Sequence, residues 1–148
     1  MKLSQILENT EYTLLQGDLE RDITDIIYDS RKLSKACVFV CMVGAVVDGH
    51  SFIPDAIEKG ACAIVVEREV ENIPKNITVV KVASSRKALA LMSAAFFGNP
   101  AKELVTIGLT GTKGKTTTTY MIKSVLESAG FKAGLIGTTG VLIGSESL

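Results

Sequence analysis

Several things are scarce in this 148-residue chain, and each scarcity excludes a class of function. There is one histidine, His50, and the three cysteines, Cys37, Cys41 and Cys62, share no C-x-x-C spacing, so the sequence cannot assemble a four-ligand zinc set. The cysteines lie instead in apolar, strand-like runs, which predicts buried free thiols and a reducing compartment. Neither sign of charge is in excess: sixteen Lys plus Arg face sixteen Asp plus Glu. No basic cluster is dense enough to form a polyanion-binding face, so nucleic acid is not an expected partner. The N-terminal MKLSQILENTEY has a single lysine and a broken apolar pattern, unlike a signal peptide or a membrane span. The expectation is a cytoplasmic protein without membrane insertion. Internal repeats and low-complexity stretches are also missing.

What is present concentrates in one segment, Ile107 to Tyr120, reading IGLTGTKGKTTTTY. Leu104, Val105, Ile107 and Leu109 form an apolar run rich in β-branched residues, which predicts a buried parallel strand. Beyond the glycine-rich turn, Met121, Ile122, Val125, Leu126 and Ala129 recur at helical spacing, and Gly130 closes the pattern as a C′ glycine. A phosphate suits such a junction. Gly111 and Gly114 let backbone N–H groups turn toward it, the helix contributes its positive end, and the Lys115 ammonium neutralises the β and γ oxygens. Thr116 is placed to offer a hydroxyl to Mg²⁺. The pattern is a variant of the general G-x-x-x-x-G-K-[ST] loop, because its first glycine stands at Gly108 where the spacing asks for position 109.

The rest of the chain reads as a small mixed α/β unit. A short helix is expected at Leu3 to Leu7, and strands at Ile23 to Tyr28, Cys37 to Val43, Cys62 to Val66 and Ile77 to Val82. A helix is expected over Ser51 to Lys59, capped by Ser51, with Pro54 in its first turn and Gly60 at its end. A longer helix starts at Ser84 or Ser85, carries Ala88, Leu91, Met92 and Ala95 on one face, and stops before Gly98-Asn99-Pro100. That Gly-Asn-Pro is the expected domain boundary. After the phosphate loop and its helix, a further strand is expected at Ala133 to Ile136.

The loop TGTKGKTTTTY (Thr110 to Tyr120) resembles the ATP loop of the Mur ligases, in which T-G-T-[NK]-G-K-T recurs. The segment DSRKLSKACVFVCMV (Asp29 to Val43), followed by Asp48-Gly49-His50, is similar to the UDP-sugar domain of the members adding the third or the final residues of the peptidoglycan peptide. GLIGTTGVLIG (Gly134 to Gly144) is more similar to the MurE type, the UDP-N-acetylmuramoyl-tripeptide synthetases, than to the MurF type. Together these motifs cover nearly all of the chain. Two departures stand out: Ala36-Cys37 occupies the place of the family's usual Gly-Asp, and Ala45-Val46-Val47 is more apolar than the usual stretch there.

The resemblance implies an α/β chain in two parts. Residues 1–98 would be a UDP-sugar-binding domain, and residues 99–148 the first strand, P-loop, helix and strand of a truncated ATP-binding central domain. The intact enzyme would be an ATP-dependent amide ligase joining diaminopimelate or lysine to UDP-N-acetylmuramoyl-L-Ala-D-Glu through an acyl phosphate, with Mg²⁺. Its acidic metal ligand, a carbamylated lysine and the acceptor domain would lie beyond Leu148. The chain alone is therefore expected to be inactive and able to associate with itself. Carried onto this sequence, Lys115 is the catalytic group, Gly111, Thr112, Lys113, Gly114, Lys115, Thr116 and Thr117 hold the nucleotide, and Thr116 ligates Mg²⁺. Tyr28, Ser30, Ala45, Val46 and Val47 are the expected sugar-nucleotide contacts.

Read from the residues alone, Asp29-Ser30-Arg31 is either a ligand-binding loop after a strand or a turn that bonds its own backbone. Asp48-Gly49-His50 is first of all a turn feeding a helix, with His50 a lining residue, since no acidic partner for it is evident nearby. Thr138, Thr139 and Gly140 are either an ordinary Thr/Gly loop or a substrate contact at the carboxyl edge of a sheet. Three alternatives compete with the tripeptide-synthetase reading: a MurF-type ligase, another P-loop enzyme such as a kinase or GTPase, and a non-catalytic UDP-sugar-binding module. A kinase leaves the DSR and DGH segments unexplained, and guanine-reading motifs are missing.

Overall fold

The computed structural model describes residues 1–44 and 47–147, so the contacts expected of Ala45 and Val46 lie outside the described residues. The chain divides into two compact units, Met1–Leu104 and Val105–Leu148. In the first, α1 (Leu3–Ile6), β1 (Thr13–Gln16), β2 (Ile26–Ile27), β3 (Val38–Val40), α2 (Ile53–Glu58), β4 (Ala63–Val66), β5 (Thr78–Lys81) and α3 (Ser85–Phe96) follow in order. The second contains α4 (Lys115–Ser128), β6 (Gly134–Gly137), β7 (Gly140–Ile143) and β8 (Glu146–Ser147).

The first unit is built on one sheet in the order β1-β5-β4-β3-β2, with β2 to β5 parallel and β1 antiparallel at the edge. Its central strands are continuous apolar runs because helices cover both faces and every side chain is buried. Val38, Val40, Ala63, Val65 and Val80 point into a core shared with Leu3, Ile6, Ala88 and Met92. Phe39, Cys41, Ile64, Val66 and Val79 point the other way, onto Ile53 and Ala56. The period-2 alternation along each strand thus feeds two cores.

Three features differ from the sequence expectation in this unit. β1 is an additional strand; its residues are mostly exposed, so its apolar signal is weak. The helix expected from Ser51 begins as a 3₁₀ turn over Gly49–Phe52, and its cap is Asp48, whose side chain accepts the His50 N–H. Ser51 instead donates its hydroxyl to the Asp48 carbonyl at 2.7 Å. At the departure noted in sequence, Ala36 takes φ +59°, a left-handed conformation that favours glycine, so the turn keeps its shape at a strain cost of roughly 1–2 kcal/mol.

In the second unit, residues 105–110 pair with no strand among the described residues, and Val105 is 94% exposed. The apolar run predicted a strand, but a strand needs a ladder partner, and none is supplied here. The α/β class stands through the first unit's sheet. Strand β6 forms within one residue of its expected bounds, yet it pairs antiparallel with β7 across a two-residue turn at Thr138-Thr139, and β7 pairs antiparallel with β8. Lys123 on α4 reaches the Gly144 carbonyl at 2.7 Å and Glu127 at 2.6 Å, tying the helix to this meander.

The cysteines are free thiols, with Cys37 and Cys41 buried. Burial pushes the Cys41 thiol up to about 12, the nearby Asp48 charge adding to the effect. A thiolate there is disfavoured throughout the ordinary pH range. Iodoacetamide at pH 8 is therefore expected to leave Cys37 and Cys41 unmodified in the folded chain and to alkylate both in urea. Mass spectrometry showing rapid labelling of Cys41 without denaturant would contradict the burial.

Candidate functional site

In the second unit the residues expected from the sequence to hold a nucleotide are seven consecutive ones, Gly111 to Thr117. Gly111 and Gly114 both have positive φ, +152° and +77°, and Gly114 serves as the N-cap of α4. These angles suit glycine and turn the loop back on itself just before the helix. The first intrahelical bond of that junction runs from the Thr118 N–H to the Gly114 carbonyl at 2.9 Å. The N–H groups of Lys115, Thr116 and Thr117 therefore point out of the helix start without intrahelical acceptors. The Lys115 ammonium folds over the loop onto the Gly111 carbonyl. The Lys115 cation and these donors lie within one short exposed loop at the start of a helix, an arrangement complementary to an anion.

Thr116 and Thr119 show how the helix start is used. The Thr119 hydroxyl bonds back to the carbonyls of Lys115 and Thr116, whereas Thr116 stands at the loop itself. Among the described residues no cluster of three or more His, Cys, Asp or Glu could hold a metal. A divalent ion here would depend on the Thr116 hydroxyl plus ligand phosphates and water, a donor set that suits Mg²⁺ rather than a softer metal. One turn further along α4, the Tyr120 hydroxyl meets Thr139 Oγ1 at 3.2 Å, so the hairpin tip lies beside the helix.

In the first unit, the expected contacts gather at the carboxyl edge of the parallel strands. Tyr28 and Ser30 follow β2, Val47 lies in the loop after β3, and the parallel pairing of β2 with β3 makes those ends neighbours. Loops at this edge are where open α/β sheets bind ligands. Tyr28 is 61% exposed, which leaves its ring free to stack. Ser30 opens a 3₁₀ turn capped by Asp29, whose carboxylate accepts the Arg31 N–H at 3.0 Å and the guanidinium at 2.7 Å. That guanidinium, together with the Arg31 N–H, holds the Asp29 carboxyl well below the usual carboxylate range. Lys59 donates to the Ser30 carbonyl at 3.3 Å. The turn is thus self-bonded and also open to a ligand.

The DGH segment has the partners that its sequence concealed. The His50 side chain is 4% exposed, and its Nδ1 lies 2.6 Å from Asp48 Oδ1. The Glu67 N–H donates to Nε2 at 3.1 Å. A backbone N–H can only donate, so Nε2 carries the lone pair and Nδ1–H donates to Asp48. Asp48 also accepts its own turn's His50 N–H and the Arg68 guanidinium, the latter at 2.6 Å. These three donors, the His50 N–H foremost, keep its carboxyl well below the ordinary range. Glu67 in turn accepts the N–H and hydroxyl of Ser85 at 2.6 and 2.7 Å, at the start of α3. Both Ser85 groups lower the Glu67 carboxyl, the hydroxyl more than the N–H. Glu67, Arg68 and Ser85 went unnoticed in sequence. The clue was a Glu-Arg pair directly after the buried AIVV strand, at the edge where loops assemble.

A cleft of about 660 Å³ opens beside this network, between α2 and the segment after β4, with Asp48, Ser51 and Arg68 at one end and Ile57, Val70 and Ile73 along it. Tyr28 and Ser30 do not line it. It therefore does not coincide with the expected sugar-nucleotide contacts.

Comparisons with known proteins cover both units. Residues 22–97 match the Mur ligase family, catalytic domain, and residues 109–148 match the Mur ligase middle domain. The chain is 51% identical over its whole length to the UDP-N-acetylmuramoyl-L-alanyl-D-glutamate–2,6-diaminopimelate ligase of Clostridium tetani, of which it spans 31%. Among solved structures it is similar to MurF from Acinetobacter baumannii, with a TM-score of 0.69 and 27% identity over 94% of this chain and 30% of that one. The MurF ligase from Thermotoga maritima, solved in complex with ADP, aligns with a TM-score of 0.52 and 32% identity over 70% of this chain and 23% of that one. The chain thus spans about a third of the curated relative's length.

Proposed function

The chain belongs to the Mur ligase family, and from that premise we propose that it supplies the sugar-nucleotide domain and the phosphate loop of an ATP-dependent ligase. The reaction joins diaminopimelate to UDP-N-acetylmuramoyl-L-Ala-D-Glu. Residues 1–98 hold the UDP-sugar and residues 99–148 begin the ATP-binding domain. A reaction that consumes ATP and a soluble sugar nucleotide suits the cytoplasm, and among the described residues no helix is long and apolar enough to cross a membrane.

The loop Gly111–Thr117 at the start of α4 is the observation that carries this reading. In phosphoryl transfer the protein contributes positioning and charge neutralisation rather than covalent chemistry. The substrate carboxylate attacks the γ-phosphate and expels ADP to give the acyl phosphate, from which the incoming amine displaces inorganic phosphate and loses a proton to give the amide. Lys115 and the loop N–H groups of Gly111 to Thr117 stabilise the charge that develops on the transferred phosphoryl group. Thr116 would offer its hydroxyl to Mg²⁺, which would supply charge neutralisation at the phosphates. Tyr28, Ser30 and the loop at Val47 would hold the uridine diphosphate, with Ala45 and Val46 contributing backbone contacts.

Identity along the whole chain to a diaminopimelate ligase supports that acceptor over lysine. The MurF neighbours favour a second reading, a ligase adding the final D-alanyl-D-alanine. Titration calorimetry separates the two: UDP-N-acetylmuramoyl-L-Ala-D-Glu is expected to bind the 148-residue chain more tightly than the corresponding tripeptide form. The reverse order would transfer support to the second reading. Ser30→Ala is expected to weaken the sugar nucleotide several-fold, the size of one lost hydrogen bond of about 0.5–1.5 kcal/mol, and to leave Mg·ATP binding unchanged. Unaltered sugar-nucleotide affinity would take Ser30 out of the site.

A further inference from the structure

We infer that His50 is a positioning residue, a latch that holds the loop after β3 against the end of β4 and thereby sets the affinity of the sugar-nucleotide site. The inference rests on the reading that this loop, around Val47, contacts the UDP-sugar.

The loop is pinned at its base. Val43 and Asp48 form an isolated antiparallel bridge, the Gly44 N–H donates to the Val47 carbonyl at 3.0 Å, and the Gly49 N–H donates to the Met42 carbonyl at 2.8 Å. Gly49 lies so close to the preceding strand end that a Cβ there would stand 2.6 Å from the Met42 backbone nitrogen. These bonds close the base of the loop, and all of them are internal to it. At its start the Cys41 N–H donates to the Val65 carbonyl of β4 at 2.9 Å, and at its far end two side-chain bonds reach the residues after β4: Arg68 to Asp48, and the Glu67 N–H to His50 Nε2. The Arg68 guanidinium is 59% exposed, so that ion pair is screened by water and weak. The bond to His50 is made by a buried ring, so it is shielded from water far better than the ion pair, and breaking it leaves the Glu67 N–H without its protein acceptor.

The latch also reaches α3. Glu67 presents its N–H to His50 and its carboxylate to Ser85, so one residue fixes both the loop after β3 and the first turn of the helix that crosses behind it. All of these groups sit at the carboxyl edge of β3, β4 and β5, beside the ends of β2 and β3 that carry Tyr28, Ser30 and Val47. His50 is not placed to act as a base toward a ligand, because Nε2 is already occupied and the ring is buried. Its effect on binding has to pass through the loop.

Half-mimics of the imidazole test this. Glutamine at position 50 can bring a carbonyl oxygen to the place of Nε2 and keep the bond to the Glu67 N–H. Asparagine can bring an amide N–H to the place of Nδ1, which keeps the Asp48 bond and loses the latch. In titration of the 148-residue chain with UDP-N-acetylmuramoyl-L-Ala-D-Glu, His50→Gln is expected to stay within about threefold of the parent and His50→Asn to bind about tenfold more weakly. Hydrogen exchange should show the Glu67 amide unprotected in His50→Asn and protected in His50→Gln. Should both variants fold poorly, the parent chain alone gives an answer: saturating sugar nucleotide is expected to slow exchange at the Glu67 and Gly49 amides. Equal affinities for the two variants, or Glu67 exchange indifferent to ligand in a parent chain that binds it, would overturn the latch. A parent chain that takes up no sugar nucleotide would instead overturn the site on which the latch was inferred to act.

Discussion

Lys115→Ala, placed in a ligase of the relatives' full length that carries this sequence, is expected to lower turnover at least about a hundredfold, the scale seen when a preorganised group facing developing charge is removed. Lys115 stands at the start of α4, inside the loop whose glycines turn the backbone N–H groups outward. Those N–H groups remain in the variant, so some nucleotide affinity should survive. What disappears is a full positive charge, which here lies on the Gly111 carbonyl and which the proposed reaction requires at the phosphates. Stopped-flow phosphate release and Mg·ATP titration check the two parts separately. The ammonium is solvent-exposed and makes no core contact, so far-UV circular dichroism should be unchanged. Near-parental turnover in the alanine variant would mean that ATP is held elsewhere.

Phe39→Ala is expected to destabilise the first unit by about 3–5 kcal/mol, the range for deleting a buried phenyl group from a core that relaxes only partly. Phe39 is fully buried in the middle of β3, with Ile27 and Ile64 as its register partners on either side. Its ring fills the face shared with Ile53 and Ala56 of α2. At roughly 4–8 °C per kcal/mol for a unit of this size, the thermal midpoint should drop by about 12 °C or more. Phe97 is a control of the same chemistry: it is 72% exposed and touches Phe96 edge-on, so Phe97→Ala should cost under about 1.5 kcal/mol. Urea unfolding followed by circular dichroism measures both. A Phe39→Ala loss no larger than that of Phe97→Ala would show that α2 does not pack on the sheet as described.

The glycine turn ahead of α4 was legible because its conformation is set locally. Gly111, Gly114, Lys115 and Thr116 lie within six residues, and the conformations they need follow from glycine's freedom and from the helix that starts at once. The central strands were legible for a similar reason: short apolar runs such as AIVV, bounded by turn residues, mark a strand wherever it sits in the sheet. The start of α3 at Ser84 or Ser85 was equally readable, and the structure makes Ser84 the cap, its side chain accepting the Lys87 N–H.

Other features depend on partners distant in sequence. Strand β1 is a strand only because β5 offers its edge, and its exposed side chains leave little apolar signature. Residues 105–110 show the converse, an apolar run with a strand's composition and no neighbour among the described residues to complete a ladder. His50 read as a turn residue without a partner. Its acidic partner was two positions away in Asp48, but the donor to Nε2 comes from Glu67, at the end of the next strand. Sequence by itself therefore determined the glycine turn that opens α4, the central strands of the first unit's sheet and the family to which the chain belongs. Tertiary structure alone decided the edge strand, the antiparallel meander after α4 and the network joining Asp48, His50, Glu67 and Ser85. The division follows from range: backbone angles, capping and side-chain alternation are set by neighbours in the chain, whereas a ladder or a buried hydrogen bond exists only once folding has brought its two halves together.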